Sequence, residues 1–169
     1  MDDALRATME EEWRDVSARL QAMMERLPSM QEKYKKLERA NRARAVKETE
    51  KAAREKTAQM ERVLARSQLN HSLLEAARTG GDKEKFAQYE QICHEDEKQF
   101  YLEQARVKDA CRAYRDEITR QGFSCEQSYL EAFLTKSAQA ALAREVEPFR
   151  EEYARLYERC AQLSAALDA

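Results

Sequence analysis

The sequence predicts an all-α fold, an elongated antiparallel coiled coil or helical bundle built from four long helices. Three observations lead there. Glycine and proline number only 3 and 2 among 169 residues, so there is little material for turns. The strong helix formers dominate, with 27 Ala, 24 Glu, 19 Arg and 15 Leu, while the β-branched Val and Ile that strands favour number 5 and 2. Apolar residues also recur at alternating steps of three and four, the pattern of a helix with one buried stripe.

The first helix is expected over about residues 3–27, with Met9, Trp13, Val16, Leu20, Met23 and Leu27 on its stripe. Pro28 is expected to end it, and Ser29 with Glu32 reads as an S-x-x-E capping box opening the next helix. That second helix, 30–79, would be about 75 Å long at 1.5 Å per residue. Its stripe starts with Met30, Tyr34 and Leu37 and ends with Met60, Val63, Leu74 and Ala77. Between them it reads Asn41, Ala45, Thr49, Ala52 and Lys56, which can bury little.

Gly80 suits the left-handed position after a helix, and Asp82 suits the cap of the next one, 83–121. Its stripe runs from Phe86 through Cys93, Phe100, Val107 and Tyr114 to Ile118, with Asp96 and Gln104 as polar interruptions of the kind that fix register. Gly122 and Phe123 read as a Schellman ending, and Ser124 with Gln127 as a second capping box. The fourth helix, 125–167, keeps its stripe in phase through Pro148, where a kink rather than an end is expected. Folding at these breaks gives one elongated domain over 1–169, whose end near Pro28 is a bare two-helix hairpin.

Composition narrows the function. The chain balances 30 basic against 32 acidic residues, and 43% is apolar, but much of that is alanine. The larger apolar side chains suffice for thin seams between helices, not for a thick core housing a reactive cleft. A membrane span needs about 18 consecutive apolar residues, and the uncharged stretch Ser137–Ala143 is far shorter. The acidic start MDDALRATMEEEW carries no apolar leader segment. Cys93, Cys111, Cys125 and Cys160 form no CxxC pair, and Cys93 and Cys111 would lie about 27 Å apart on one helix. Reduced thiols in a cytoplasmic, reducing compartment are therefore expected.

No chemistry-bearing constellation emerges. A di-iron bundle needs Glu-x-x-His, yet Gln68 and Gln91 stand three residues before His71 and His94. Cys93 and His94 are neighbours and point about 100° apart on a helix. Gly80-Gly81 lacks the Lys-Ser/Thr of a phosphate loop. No catalytic, cofactor-binding or metal-ligating residue is assigned, no cofactor is expected, and the chain is read as non-enzymatic.

Two surface features remain. Met23, Met24, Leu27, Met30 and Tyr34 gather at the expected hairpin tip, and methionine-rich surfaces adapt readily to partners. Residues 32–56 carry a local net charge of +5, with Lys33, Lys36, Arg44, Lys47, Lys51 and Arg54 on one stripe. Further apolar residues, among them Leu73, Tyr101, Leu102, Leu130 and Tyr157, lie off or beside the main stripes. The expected function is a coiled-coil interaction protein, an adaptor, scaffold or stalk-like subunit whose protein partner is helical or acidic, with a homo-oligomer as a further option. The alternative is a polyanion-binding module that uses the basic stripe on nucleic acid or an anionic membrane.

Overall fold

The computed structural model describes residues 3–168. Among these residues there are four α-helices and no strand: α1 (Asp3–Thr79), α2 (Lys83–Arg120), α3 (Glu126–Ala132) and α4 (Lys136–Leu167). The all-α class stands, but two expected boundaries fall elsewhere.

The first correction is at Pro28, which does not end a helix: α1 passes through it for 77 residues. The Ser29–Glu32 capping box therefore does not form, and Glu32 pairs with Lys35 instead, at 3.3 Å. An interior proline costs a helix about 3 kcal/mol through one lost hydrogen bond and a clash with the preceding turn. Here packing outweighs that cost. The apolar phase runs unbroken from Met23 and Leu27 to Met30 and Tyr34, and α4 grips both sides of the proline: Arg26 lies 5.4 Å from the Phe149 ring, and Lys33 pairs with Glu145. The expected hairpin and its tip do not exist.

The second correction is in the fourth segment. Residues 133–135 are not helical, and they separate the seven-residue α3 from α4. Thr135, in extended backbone, caps α4 by accepting from the Ala138 amide at 3.2 Å. Ser124 lies toward the Cys125 sulfur at 3.9 Å, and the Gln127 amide group donates to Glu131 rather than completing a capping box. Helix α4 continues through Pro148, as its phase predicts.

The glycine turns hold with a one-residue shift at the first. Gly81 rather than Gly80 takes the left-handed conformation, at φ 69°, and the Asp82 amide donates back to Ala77 at 3.2 Å. Asp82 then caps α2 by accepting from Lys85 at 3.1 Å. At the other end Gly122 has φ 81° and the Phe123 amide donates to Ile118 at 3.0 Å, the Schellman pattern the sequence implies.

The fold gathers into two compact units. The first comprises Met1–Asn41 with Ala132–Ala169. Within it α1 and α4 run antiparallel, as the cross-helix pairs Glu12–Arg159, Arg19–Glu152, Lys33–Glu145 and Asn41–Gln139 require. Its seam is apolar: Val16 packs with Leu156 and Leu163, flanked by Met9, Leu20, Met23 and Cys160. The second unit, Arg42–Glu131, joins the rest of α1 to α2 and α3. Its buried residues include Ala43, Val46, Ala53, Val63, Cys93, Ile118 and Tyr129. The expected weak middle of the long helix, Asn41, Ala45, Thr49, Ala52 and Lys56, gives way to neighbouring positions, where Ala40, Ala43, Val46, Glu50 and Ala53 are buried. Small side chains let helices approach closely, so little apolar volume is needed there.

Candidate partner-binding groove

The residues expected at a tip line a groove on the first unit instead. Leu27, Met30, Gln31 and Tyr34 on α1 face Glu147, Phe149, Arg150 and Tyr153 on α4 across a cleft of about 670 Å³. Met30 is buried, Leu27 and Tyr34 are half-buried, and Met23 belongs to the apolar seam below. Met24 alone of the five is largely exposed. The structure therefore brings Leu27, Met30 and Tyr34 together at the groove and assigns Met23 to the core.

Aromatic rings build the far wall. Phe149, Tyr153 and Tyr157 follow one another at i,i+4 and stack with centroids 6.3 and 6.4 Å apart. Each of two arginines lies over a ring, Arg26 over Phe149 at 5.4 Å and Arg150 over Tyr34 at 4.3 Å. A guanidinium is attracted to a ring face and loses little freedom there. Among the described residues neither arginine has a carboxylate within ion-pair distance, so their N–H groups remain available. The sequence reading placed Phe149 and Tyr153 on the core stripe; the i,i+4 aromatic spacing was the available signal for a ring wall, whereas the arginine placement needs the register between α1 and α4.

The basic stripe is largely committed within the chain. Lys33 pairs with Glu145, while Lys47 and Arg54 pair with Glu50 at 3.1 and 2.6 Å. Arg44 is half-buried, and the exposed members are Lys36, Lys51 and the Glu50-paired Arg54.

The second unit holds a set of buried acids: Asp96, which the sequence reading placed on the stripe, and Glu50, Glu103 and Glu117, which it missed. Asp96 interrupts the stripe as expected and accepts from Arg66 at 2.8 Å and Asn70 at 2.6 Å across the α1–α2 pair. The second interruption is Glu103, not Gln104; Gln104 is exposed. One Glu103 oxygen accepts from Gln99 and Arg106 at 2.9 and 2.8 Å, while Oε2 is buried without a partner. Glu117 is held by Arg120 and Gln121, and the bonds from Arg120 first, then Gln121, keep its carboxyl below the usual carboxylate range.

Glu50 joins α3 to α1. Tyr129, fully buried, donates to Glu50 at 2.5 Å, and its ring packs edge-on against Phe123 and Tyr114. Burial pushes the Glu50 carboxyl up, but the bonds from Tyr129 and Lys47 and the charges of Lys47 and Arg54 together bring it below its ordinary value. Burial, then the Glu50 contact, pushes the Tyr129 hydroxyl upward. Cys93 is likewise raised, first by burial and then by Asp96, so its thiol stays protonated and inert. Among the described residues no group of three His, Cys, Asp or Glu side chains is placed to hold a metal ion, and no helix is long and apolar enough to cross a membrane.

The chain matches no protein-family model, no curated protein and no solved structure.

Proposed function

We propose that the chain is a non-catalytic helical interaction protein, an adaptor or scaffold, that takes an amphipathic helix of a partner protein into the groove between α1 and α4. The observation that carries this reading is Arg150. Its guanidinium carbon lies 4.3 Å from the Tyr34 ring centre, with no carboxylate of the described residues in ion-pair reach. A guanidinium held on a ring offers its edge to an incoming carboxylate at small entropic cost. The partner helix places an apolar side chain over Met30, Phe149 and Tyr153 and an acidic one against Arg150. Glu147 and Glu151 flank Arg150 in the same groove, so a carboxylate is accepted there only against the guanidinium edge itself.

The test uses a photoreactive residue in place of the exposed, groove-lining Gln31, introduced into the full chain in its native cell. The expected result is an adduct with a helical segment of one protein that disappears with Arg150→Glu at unchanged helicity. An adduct insensitive to Arg150→Glu, or no adduct, overturns the proposal.

A further inference from the structure

Helix α2 carries a second stripe beside its buried one, running from Lys85 to Asp109 in steps of three and four. Helical periodicity puts it on the same side of the α1–α2 pair as Arg66, Leu69 and Leu73, the side on which Arg66 reaches Asp96. Four large apolar residues on this side face water: Leu69 is 61% exposed, Leu73 38%, Ile92 41% and Leu102 47%. Nothing among the described residues covers them. The outer part of this pair is only two helices deep, and two helices alone are marginal in water.

The stripe is complementary to its own reverse. Laid antiparallel on a second copy and centred near Glu97, each position meets one from the other half of the same stripe. Ile92 meets Leu102 of the second copy, and by symmetry Leu102 meets Ile92. The register between α1 and α2, set by the Arg66 and Asn70 bonds to Asp96 and by the Ala77–Asp82 turn, places Leu69 and Leu73 beside Ile92, so each leucine from the second copy enters an apolar nest. Glu95 meets Gln99, Gln88 meets Arg106, and Lys85 meets Asp109, each pair twice; along this stripe no like charges face each other, and Arg66 of α1, which this register brings near the two-fold, is neutralised by Asp96 of its own chain. Asp109 has no ion-pair partner among the described residues, and Lys85 is held only by Asp82 at 4.0 Å. Such an isologous contact is what a two-fold interface requires.

We infer that this α1–α2 face is the interface of an antiparallel homodimer. The stripe spans about 36 Å at 1.5 Å per residue, and two helices are about 20 Å wide. The face thus offers about 700 Å² per copy, close to the roughly 800 Å² per partner of a standard stable interface. The inference is independent of the groove on the first unit, whose partner can fail to appear without affecting it.

Analytical ultracentrifugation of the full chain tests it. The expected particle has twice the 19.7 kDa chain mass at micromolar concentration. Ile92→Glu with Leu102→Glu, both at exposed positions, raises the dissociation constant by at least about tenfold with circular dichroism unchanged. Lys85→Glu alone weakens the dimer by about threefold, and adding Asp109→Lys restores it. A monomer at about 100 μM, a dimer indifferent to the Ile92/Leu102 pair, or a Lys85→Glu defect that Asp109→Lys does not repair overturns the proposal.

Discussion

The two units solve the same problem, holding one long helix against its neighbours, with opposite chemistry. In the first, Val16, Leu156 and Leu163 make an apolar seam, and the ion pairs Glu12–Arg159 and Arg19–Glu152 lie outside it. In the second, acids enter the seam itself: Asp96 and Glu103 sit two helical turns apart on α2 and are buried, as is Glu50 on α1. An apolar seam is stabilised by area removed from water and tolerates small slips. A buried acid is tolerated only where its partners stand, so Asp96, bonded to Arg66 and Asn70, fixes one register at a cost in stability. The first unit is thus built for adhesion and the second for register.

The largest expected effect tests the anchoring of the second unit. Tyr129→Ala removes a fully buried ring and its bond to Glu50, and should cost about 4 kcal/mol in denaturant unfolding. Hydrogen exchange should locate the loss in α3 and the neighbouring stretch of α1 while the Val16–Leu156 seam stays protected; uniform loss would erase the distinction between the units. Next is Pro28→Ala, which restores a helical hydrogen bond within the first unit and should add up to about 3 kcal/mol. A destabilised variant would mean that Pro28 shapes the seam. Trp13, the sole tryptophan, lies in the first unit, so its fluorescence reads this change specifically.

A smaller effect separates register from stability. Glu103→Leu removes the unpartnered buried oxygen and should raise the thermal midpoint, by about 1 kcal/mol in free energy, at the expense of register fidelity. A fall in stability would show that Glu103 is fully satisfied. The smallest concerns pH. Because the folded Glu50 carboxyl lies below its unfolded value, its contribution is complete above the unfolded pKa of about 4.3 and fades as pH falls through the folded one. Glu50→Gln should flatten that acid limb for the second unit, measured by hydrogen exchange between about pH 3 and 6, and leave Trp13 fluorescence unmoved.

Much of this was legible in the residues. The helical class follows from composition, and the Gly122–Phe123 and Asp82 signals mark real helix ends because they depend on chemistry within a few residues. Pro28 misled for a physical reason: a local penalty of a few kcal/mol was weighed without the seam spanning it, although the Met23–Leu27–Met30–Tyr34 phase already showed no break. The same phase argument, applied to Pro148, gave the right answer. Losing the Pro28 turn also moved the candidate surface from a tip to a groove, since Phe149 and Arg150 reach Leu27 and Tyr34 only once α4 lies beside α1. Glu103 was hidden because a buried carboxylate on a heptad position looks like any solvated glutamate, and Thr135 because Ala138, not Glu or Gln, stands three residues on, so no capping box is written there.

The interruption at 133–135 has a consequence for how the chain responds to being cut. The elements that flank it directly are continuous helix, Glu126–Ala132 before it and Lys136–Leu167 after it, whereas this segment is three residues of irregular backbone leading into the Thr135 cap. A protease that nicks there releases α4 as a separate peptide, and the first unit becomes a complex of two fragments held by the Val16–Leu156–Leu163 seam and the arginine–glutamate pairs along it. Dilution would then dissociate what the intact chain keeps together, giving this short segment the standing of a covalent tether whose loss makes adhesion concentration-dependent.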